Sequence, residues 1–313
     1  MKVMNLSKKV FIDGSAGTTG LRIHERLADR KDLEIVKLPE EYRKDPTARA
    51  EAINSSDIVF LCLPDQAAIE AVSMVTSGST VIIDTSTAHR VDPDWTYGFP
   101  EIHGLRDRII TSKRIANPGC HASGFIALVA PLVSAGILPA DTPLSAFSLT
   151  GYSGGGKKMI AEYECTDRDV LLAGPRLYGL SQKHKHLPEM KAICGLANDP
   201  VFCPVVAPYY AGMEVIIPLT AAQIKAGPDE ILSAWKDYYH TGLVRVCESM
   251  DENGFCSASA CAGRDDMQIS VFGNKDRMTL VSRFDNLGKG ASGSAVQNMN
   301  LVLGIDETEG LIV

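Results

Sequence analysis

The sequence predicts an α/β fold: a parallel sheet covered on both faces by helices, joined to a second α+β domain with a mixed or antiparallel sheet. Three observations lead there. Short, continuously apolar strands alternate with helix-like stretches over residues 8–90, the pattern of a sheet buried on both sides. Beyond Asn117-Pro118-Gly119 strands continue, but fewer helices separate them. The length of 313 residues suits two domains.

Val10-Phe11-Ile12 is a buried strand closed by Asp13-Gly14, and a helix follows over 18–30. Residues 33–38 and 57–63 supply the second and third strands, the latter ended by Pro64. A helix over 66–75 leads to a fourth strand at 80–84. After Gly119, apolar positions 125, 128, 129, 132 and 133 repeat at helical spacing and predict a helix over 120–135. Pro131 removes one of its hydrogen bonds and favours a kink. Strands are expected at 145–149, 201–207, 214–219, 244–247, 268–272 and 278–283. The stretch 289–303 opens with Gly, Ala and Ser, and reads as a closing helix packed tightly on its neighbour.

Composition excludes several classes. Hydrophobic residues are 45% and charged residues 22%, so the chain is neither disordered nor fibrous. Against 38 acidic side chains stand 31 Lys and Arg, a formal net charge of −7 with no broad pull on nucleic acid or anionic membranes. No apolar run approaches the roughly 20 residues that span a bilayer. The opening residues lack the apolar core of a signal peptide, and a cytoplasmic location is expected. Eight scattered cysteines include no Cys-x-x-Cys pair, so neither a disulfide framework nor a metal site is expected.

Gly14-Ser15-Ala16-Gly17-Thr18-Thr19-Gly20 lies between the first strand and the first helix. Glycines let the backbone turn sharply and approach a pyrophosphate, while the helix amides face its charge. The position makes this a Rossmann-type dinucleotide loop. An NAD site usually carries an acidic residue at the end of the second strand. Here that end reads Lys37-Leu38-Pro39 with Arg43 close behind, two cations suited to a 2′-phosphate, although Glu40 and Glu41 lie alongside. NADP(H) is the expected cofactor.

Cys120 opens the apolar-periodic helix after Asn-Pro-Gly. A thiol at a helix N-terminus has its thiolate stabilised by the dipole and the open amides, which lowers its pKa and suits it as a nucleophile. The other seven cysteines read as small buried hydrophobes. His184-Lys185-His186-Leu187-Pro188-Glu189 supplies proton carriers, since alternate histidines project together if the segment is extended. His121 adjoins Cys120 but points about 100° away along the helix and is the weaker candidate.

These motifs occur in order with Asp84-Thr85-Ser86-Thr87-Ala88-His89-Arg90, Tyr97-Gly98-Phe99-Pro100-Glu101 and Asp285-Asn286-Leu287-Gly288-Lys289-Gly290-Ala291-Ser292-Gly293. Together they closely resemble the N-acetyl-γ-glutamyl-phosphate reductase family, NADP-dependent enzymes of arginine biosynthesis, in its shorter variant. The resemblance implies that Cys120 forms a thioester with the acyl phosphate, with His186 or His184 moving the proton. It implies Arg90, Glu189, Ser153 and Lys157 at the substrate. It implies Gly14, Ser15, Gly17, Thr18, Thr19, Gly20, Lys37, Arg43, Ser86, Asn286 and Lys289 at the cofactor. The chain then divides as 1–117 plus 285–313 for NADP, and 118–284 for catalysis and homo-oligomerisation. Three rival readings are aspartate-semialdehyde dehydrogenase, with the same architecture and hydride step, a cofactor-free cysteine hydrolase using Cys120 and His186, and a non-catalytic NADP-binding regulator.

Overall fold

The computed structural model describes residues 7–240 and 242–313, which divide into two compact units. The first holds residues up to 99, 105–118 and 294–311; the second holds 100–104, 119–293 and 312–313. Residues 285–293 therefore fall with the second unit.

The first unit runs β1 (Lys8–Asp13), α1 (Thr18–Leu27), β2 (Leu33–Val36), α2 (Pro46–Asn54), β3 (Ile58–Leu61), α3 (Asp65–Ser73), β4 (Val81–Asp84), β5 (Thr96–Tyr97), α4 (Leu105–Thr111) and β6 (Arg114–Ala116). The strands pair in parallel in the order β2-β1-β3-β4-β6-β5. Every residue of β3 and β4 is buried, as expected for a sheet covered on both faces. Strand order reverses at β1, so the loop after β1 stands at the switch point where doubly wound sheets bind ligands. Periodicity missed α2 because few of its residues are large and apolar. Its start is set locally instead: Asp45 accepts from the Ala48 amide at 2.7 Å, and Pro46 fills the first turn.

The second unit runs α5 (Cys120–Ser134), β7 (Ser145–Gly151), α6 (Gly156–Glu164), β8 (Arg176–Leu177), α7 (Leu187–Cys194), β9 (Val201–Ala207), β10 (Met213–Thr220), α8 (Pro228–Tyr238), β11 (Val244–Val246), β12 (Met267–Gly273) and β13 (Arg277–Phe284). The sheet order is β11-β12-β13-β10-β7-β9-β8. Pairs β11/β12 and β7/β9 are parallel and the rest antiparallel, so the sheet is mixed. Burial alternates along β7 and β9: Ala146, Ser148, Phe202 and Val206 are covered, whereas Phe147 and Val201 on the opposite face are exposed, as is Leu177 of β8.

Every residue of α5 from His121 to Leu132 is buried. Pro131 cannot pair with the Ala127 carbonyl, and the Tyr239 hydroxyl donates to that oxygen at 2.8 Å instead. A Cβ on Gly124 would meet Val215 Cγ2 and Ser282 Oγ at 2.6 Å and Phe284 Cε1 at 2.7 Å. Gly124→Ala is therefore expected to push the helix off the sheet and cost about 1–3 kcal/mol, the usual range for overpacking. An unchanged denaturation midpoint would show that the contact relaxes without cost.

The chain ends with a π-helical turn (Gly288–Ser292) and α9 (Gly293–Leu303), where sequence periodicity suggested one helix from 289. In the first unit α9 is fastened by polar side chains. Asn298 Nδ2 donates to the Gly98 carbonyl at 2.9 Å, and Asn300 Oδ1 accepts from Arg30 at 3.0 Å.

Candidate active site

The glycine loop follows from the end of β1. Gly14 has φ of +85°, and a Cβ there would stand 2.3 Å from the Cys62 carbonyl oxygen, so only glycine fits the turn. At Gly20 a Cβ would strike the Gly14 carbonyl oxygen at 2.6 Å, so the helix starts hard against the loop. Gly17 is different: nothing lies within 3.4 Å of a Cβ on it except the Gly14 oxygen at that distance. No side chain caps α1 and no acidic residue occupies its first turn, which holds Thr18 and Thr19. The start of α1 thus offers its amides to an anion. Lys37 and Arg43 are exposed just past β2, where the sequence put them.

Around the other strand ends of this unit, charged groups are paired internally. Arg49, which sequence reasoning passed over, donates through Nε and Nη2 to Asp13 Oδ2 at 3.1 and 2.9 Å beside the glycine loop. Burial raises the Asp13 pKa, and the Arg49 guanidinium opposes that shift. Asp84 accepts from the Ser86 hydroxyl at 2.7 Å and lies 2.7 Å from His89 Nδ1, whose ring stacks on Trp95. Arg90 is buried, with Nε donating to the Asn117 carbonyl at 3.0 Å and Nη2 to that of Thr85 at 3.1 Å. Two of its donors are thus committed to the main chain, one of them to the segment that leads into Cys120.

In the second unit Cys120 is the first residue of α5, after Gly119. No side chain caps this helix from within its own first turn, which holds no acidic residue. Glu189 of α7 is fully buried and accepts the Gly119 amide at 3.1 Å, which fastens the turn before Cys120. The π-helical turn sets Gly290 so close that a Cβ on it would stand 3.0 Å from that of Cys120. Lys289 in the same turn is 1% exposed, with Nζ 2.8 Å from both carboxylate oxygens of Glu101. Asn286 is equally buried: its Nδ2 donates to Ser153 Oγ at 2.9 Å and its Oδ1 accepts the Gly212 amide at 3.0 Å. Both residues, expected at the cofactor, make internal pairs that brace the turn and the loop after β7. Lys157 is exposed in the first turn of α6.

The two predicted histidines come together, through a turn and not an extended strand. The ring centroids of His184 and His186 are 4.7 Å apart, and the His186 amide donates to His184 Nδ1 at 3.2 Å. His121 packs 5.5 Å from each of them. Its Nδ1 lies 2.6 Å from Ser148 Oγ and its Nε2 2.5 Å from Tyr178 Oη. Burial lowers the His121 pKa to about 3, with His184 and Lys185 adding to the effect. Nothing in the sequence pointed to Ser148 or Tyr178, because neither lies in a motif and they meet His121 only through the sheet. The other seven thiols are not uniformly buried as the sequence suggested: Cys194 and Cys261 are buried, Cys165 is exposed, and Cys62, Cys203, Cys247 and Cys256 lie between. Burial pushes Cys62 and Cys256 up to about 12 and Cys261 to about 11, and raises Cys194 and Cys247.

The family model for "Semialdehyde dehydrogenase, NAD binding domain" matches residues 37–111, and that for "Semialdehyde dehydrogenase, dimerisation domain" matches 120–286. Among solved structures the fold resembles aspartate semialdehyde dehydrogenase II from Vibrio cholerae, complexed with ASA, with a TM-score of 0.72 at 15% identity over 95% of this chain and 98% of that one. Aspartate semialdehyde dehydrogenase with NADP from Candida albicans gives a TM-score of 0.65 at 15% identity over 95% of this chain and 98% of that one. Fold and matched domains define an oxidoreductase of the semialdehyde dehydrogenase class, with a nicotinamide-dinucleotide domain. The N-acetyl-gamma-glutamyl-phosphate reductases of Brucella ovis and Brucella canis are each 46% identical over 309 residues, covering 96% of this chain and all of theirs. The chain belongs to the N-acetyl-γ-glutamyl-phosphate reductase family. Among the described residues no helix is long and apolar enough to cross a membrane.

Proposed function

We propose that this chain reduces N-acetyl-γ-glutamyl phosphate to N-acetylglutamate 5-semialdehyde, releasing phosphate, through a thioester on Cys120 and with NADPH as reductant. The carrying observation is Cys120 at the uncapped start of α5, in a chain 46% identical along nearly its whole length to reductases of that name. The Cys120 thiolate attacks the acyl carbon, and the carbon–oxygen bond to phosphate breaks with its electron pair on phosphate. NADPH held at the glycine loop would supply the hydride that reduces the thioester carbon. The carbon–sulfur bond then breaks, the aldehyde leaves and Cys120 returns to thiolate. A histidine of the 184–186 turn moves the proton taken up in the cycle, and Glu189 holds the Gly119 amide so that Cys120 keeps its place at the helix start. Arg90, besides anchoring the Asn117 carbonyl, is the candidate for the substrate phosphate, with Ser153 and Lys157 lining the loop after β7.

The residues present fit a dinucleotide, since Gly17 is open above the loop and the α1 amides are uncapped. NADP preference is supported by Lys37 and Arg43 just beyond β2. Changing both to neutral residues is expected to raise KM for NADPH severalfold while leaving that for NADH unchanged. Equal constants for the two nucleotides in the parent would overturn this reading.

The exposed Phe147, Val201 and Leu177 on one face of the mixed sheet support homo-oligomerisation through that face, in keeping with the name of the matched domain. A cytoplasmic location belongs to the same proposal. The decisive assay is NADP reduction with N-acetylglutamate semialdehyde plus phosphate, run beside aspartate semialdehyde. Faster turnover of the aspartate compound would return the chain to the rival substrate.

A further inference from the structure

We propose that Ser148 and His121 form a proton-directing chain that turns the hydroxyl hydrogen of Tyr178 toward the reacting centre at Cys120, making Tyr178 a hydrogen-bond donor to the acyl adduct. This rests on Cys120 as the nucleophile. His121 is buried and neutral, so one ring nitrogen carries hydrogen and the other a lone pair. A hydroxyl faces each nitrogen, Ser148 Oγ at Nδ1 and Tyr178 Oη at Nε2.

The two tautomers are not equivalent. Ser148 is fully buried on β7, and among the described residues its hydroxyl has one partner, His121 Nδ1. If Nδ1 carried the hydrogen, the Ser148 hydroxyl would be left with no acceptor, at the cost of an unsatisfied buried donor. Ser148 therefore donates to Nδ1, and the hydrogen of the ring sits on Nε2. Nε2–H then donates to Tyr178 Oη, whose own O–H is not consumed by His121. With the opposite tautomer the Tyr178 hydroxyl would spend its hydrogen on His121 and have none to offer.

The place of Tyr178 fits this role. His121 is the residue next to Cys120 in the chain, and a charge on Cys120 adds to burial in holding the Tyr178 phenol in its neutral, donating form. The groups packed around the His121 ring are His184 and His186 from the turn before α7, Tyr178 after β8, and the apolar Phe202 of β9, while the exposed Lys185 acts on it through its charge. None is a carboxylate that would draw a second proton onto the ring. In this chain Tyr178 acts directly on the adduct, while His121 and Ser148 are positioning residues.

Nitrogen-15 NMR of the His121 ring in the full-length protein reads the tautomer without any variant. The expected result is hydrogen on Nε2 across the working pH range; hydrogen on Nδ1 would overturn the proposal. In steady-state assays Tyr178→Phe should lower kcat by roughly 10²-fold or more, the scale of one lost oxyanion donor, at unchanged KM for NADPH. Ser148→Ala should also lower kcat, Ser148→Thr should restore most of it, and Ser148→Ala should add nothing in the Tyr178→Phe background. Parental kcat in Tyr178→Phe, or losses that multiply in the double variant, would overturn it. Retained turnover in Cys120→Ser would instead remove the nucleophile reading, and the NMR result would stand apart from that failure.

Discussion

Cys120→Ser is expected to lower turnover by roughly 10⁴-fold or more, the scale on which enzymes lose rate when a covalent nucleophile is removed. Serine preserves the size and place of the side chain at the first position of α5, so the helix and the Glu189 contact to Gly119 should persist. The chemistry does not survive. An alkoxide scarcely forms near neutral pH, and the ester it would form releases the aldehyde far less readily than a thioester does. Nucleotide binding should be unchanged, because the glycine loop belongs to the other compact unit. Limiting iodoacetamide followed by peptide mapping provides an independent reading. Burial pushes Cys62, Cys194, Cys247, Cys256 and Cys261 up, whereas Cys165 is exposed, so activity should fall with label at Cys120 and not with label at Cys165. Activity that persists after Cys120 is blocked would end the thioester mechanism.

The second large effect is expected at the histidine turn. His186→Ala should slow turnover by roughly 10²–10⁴-fold, the range for a general acid–base group, with nucleotide affinity intact. His184→Ala should cost less. The reason lies in the turn itself: the His186 amide donates to His184 Nδ1, so that ring already uses its lone pair when neutral and carries its hydrogen on Nε2. His184 Nδ1 is thus occupied by the main chain, and His186 is the carrier expected. Both variants should be compared for kcat, NADPH affinity and thermal midpoint. A larger loss in His184→Ala than in His186→Ala would reverse the assignment, and full activity in both would remove the turn from catalysis.

The parallel sheet was legible because burial on both faces leaves a plain mark on the sequence: Ile58–Leu61 and Val81–Asp84 contain almost no polar residue. The glycine loop was legible for a similar local reason. Gly14 needs a left-handed backbone angle and Gly20 a missing Cβ, and both requirements act over a few neighbouring residues. Cys120 stood out because a helix start is a local event. Helix α2 was missed because its capping residues, and no apolar stripe, define it. The closing helix was read one turn too simply, since a π-helical turn depends on what packs beside it, here Cys120 against Gly290.

What the sequence by itself determined is therefore the α/β architecture, the glycine loop, the cysteine at its helix start and the pairing of His184 with His186, though not the turn that pairs them. Each rests on periodicity or on neighbours within a few residues. Only the tertiary structure decided which side chains those groups meet. Asn286 spends its amide on Ser153 and Gly212, and Lys289 is held by Glu101, a partner 188 residues away. His121, one position from Cys120, gains both its ring partners because β7 brings Ser148 to one side of its ring and the segment after β8 brings Tyr178 to the other. Such partners are chosen by strand order and sheet register, and those follow from burying the whole apolar surface at once, which no short window of sequence records.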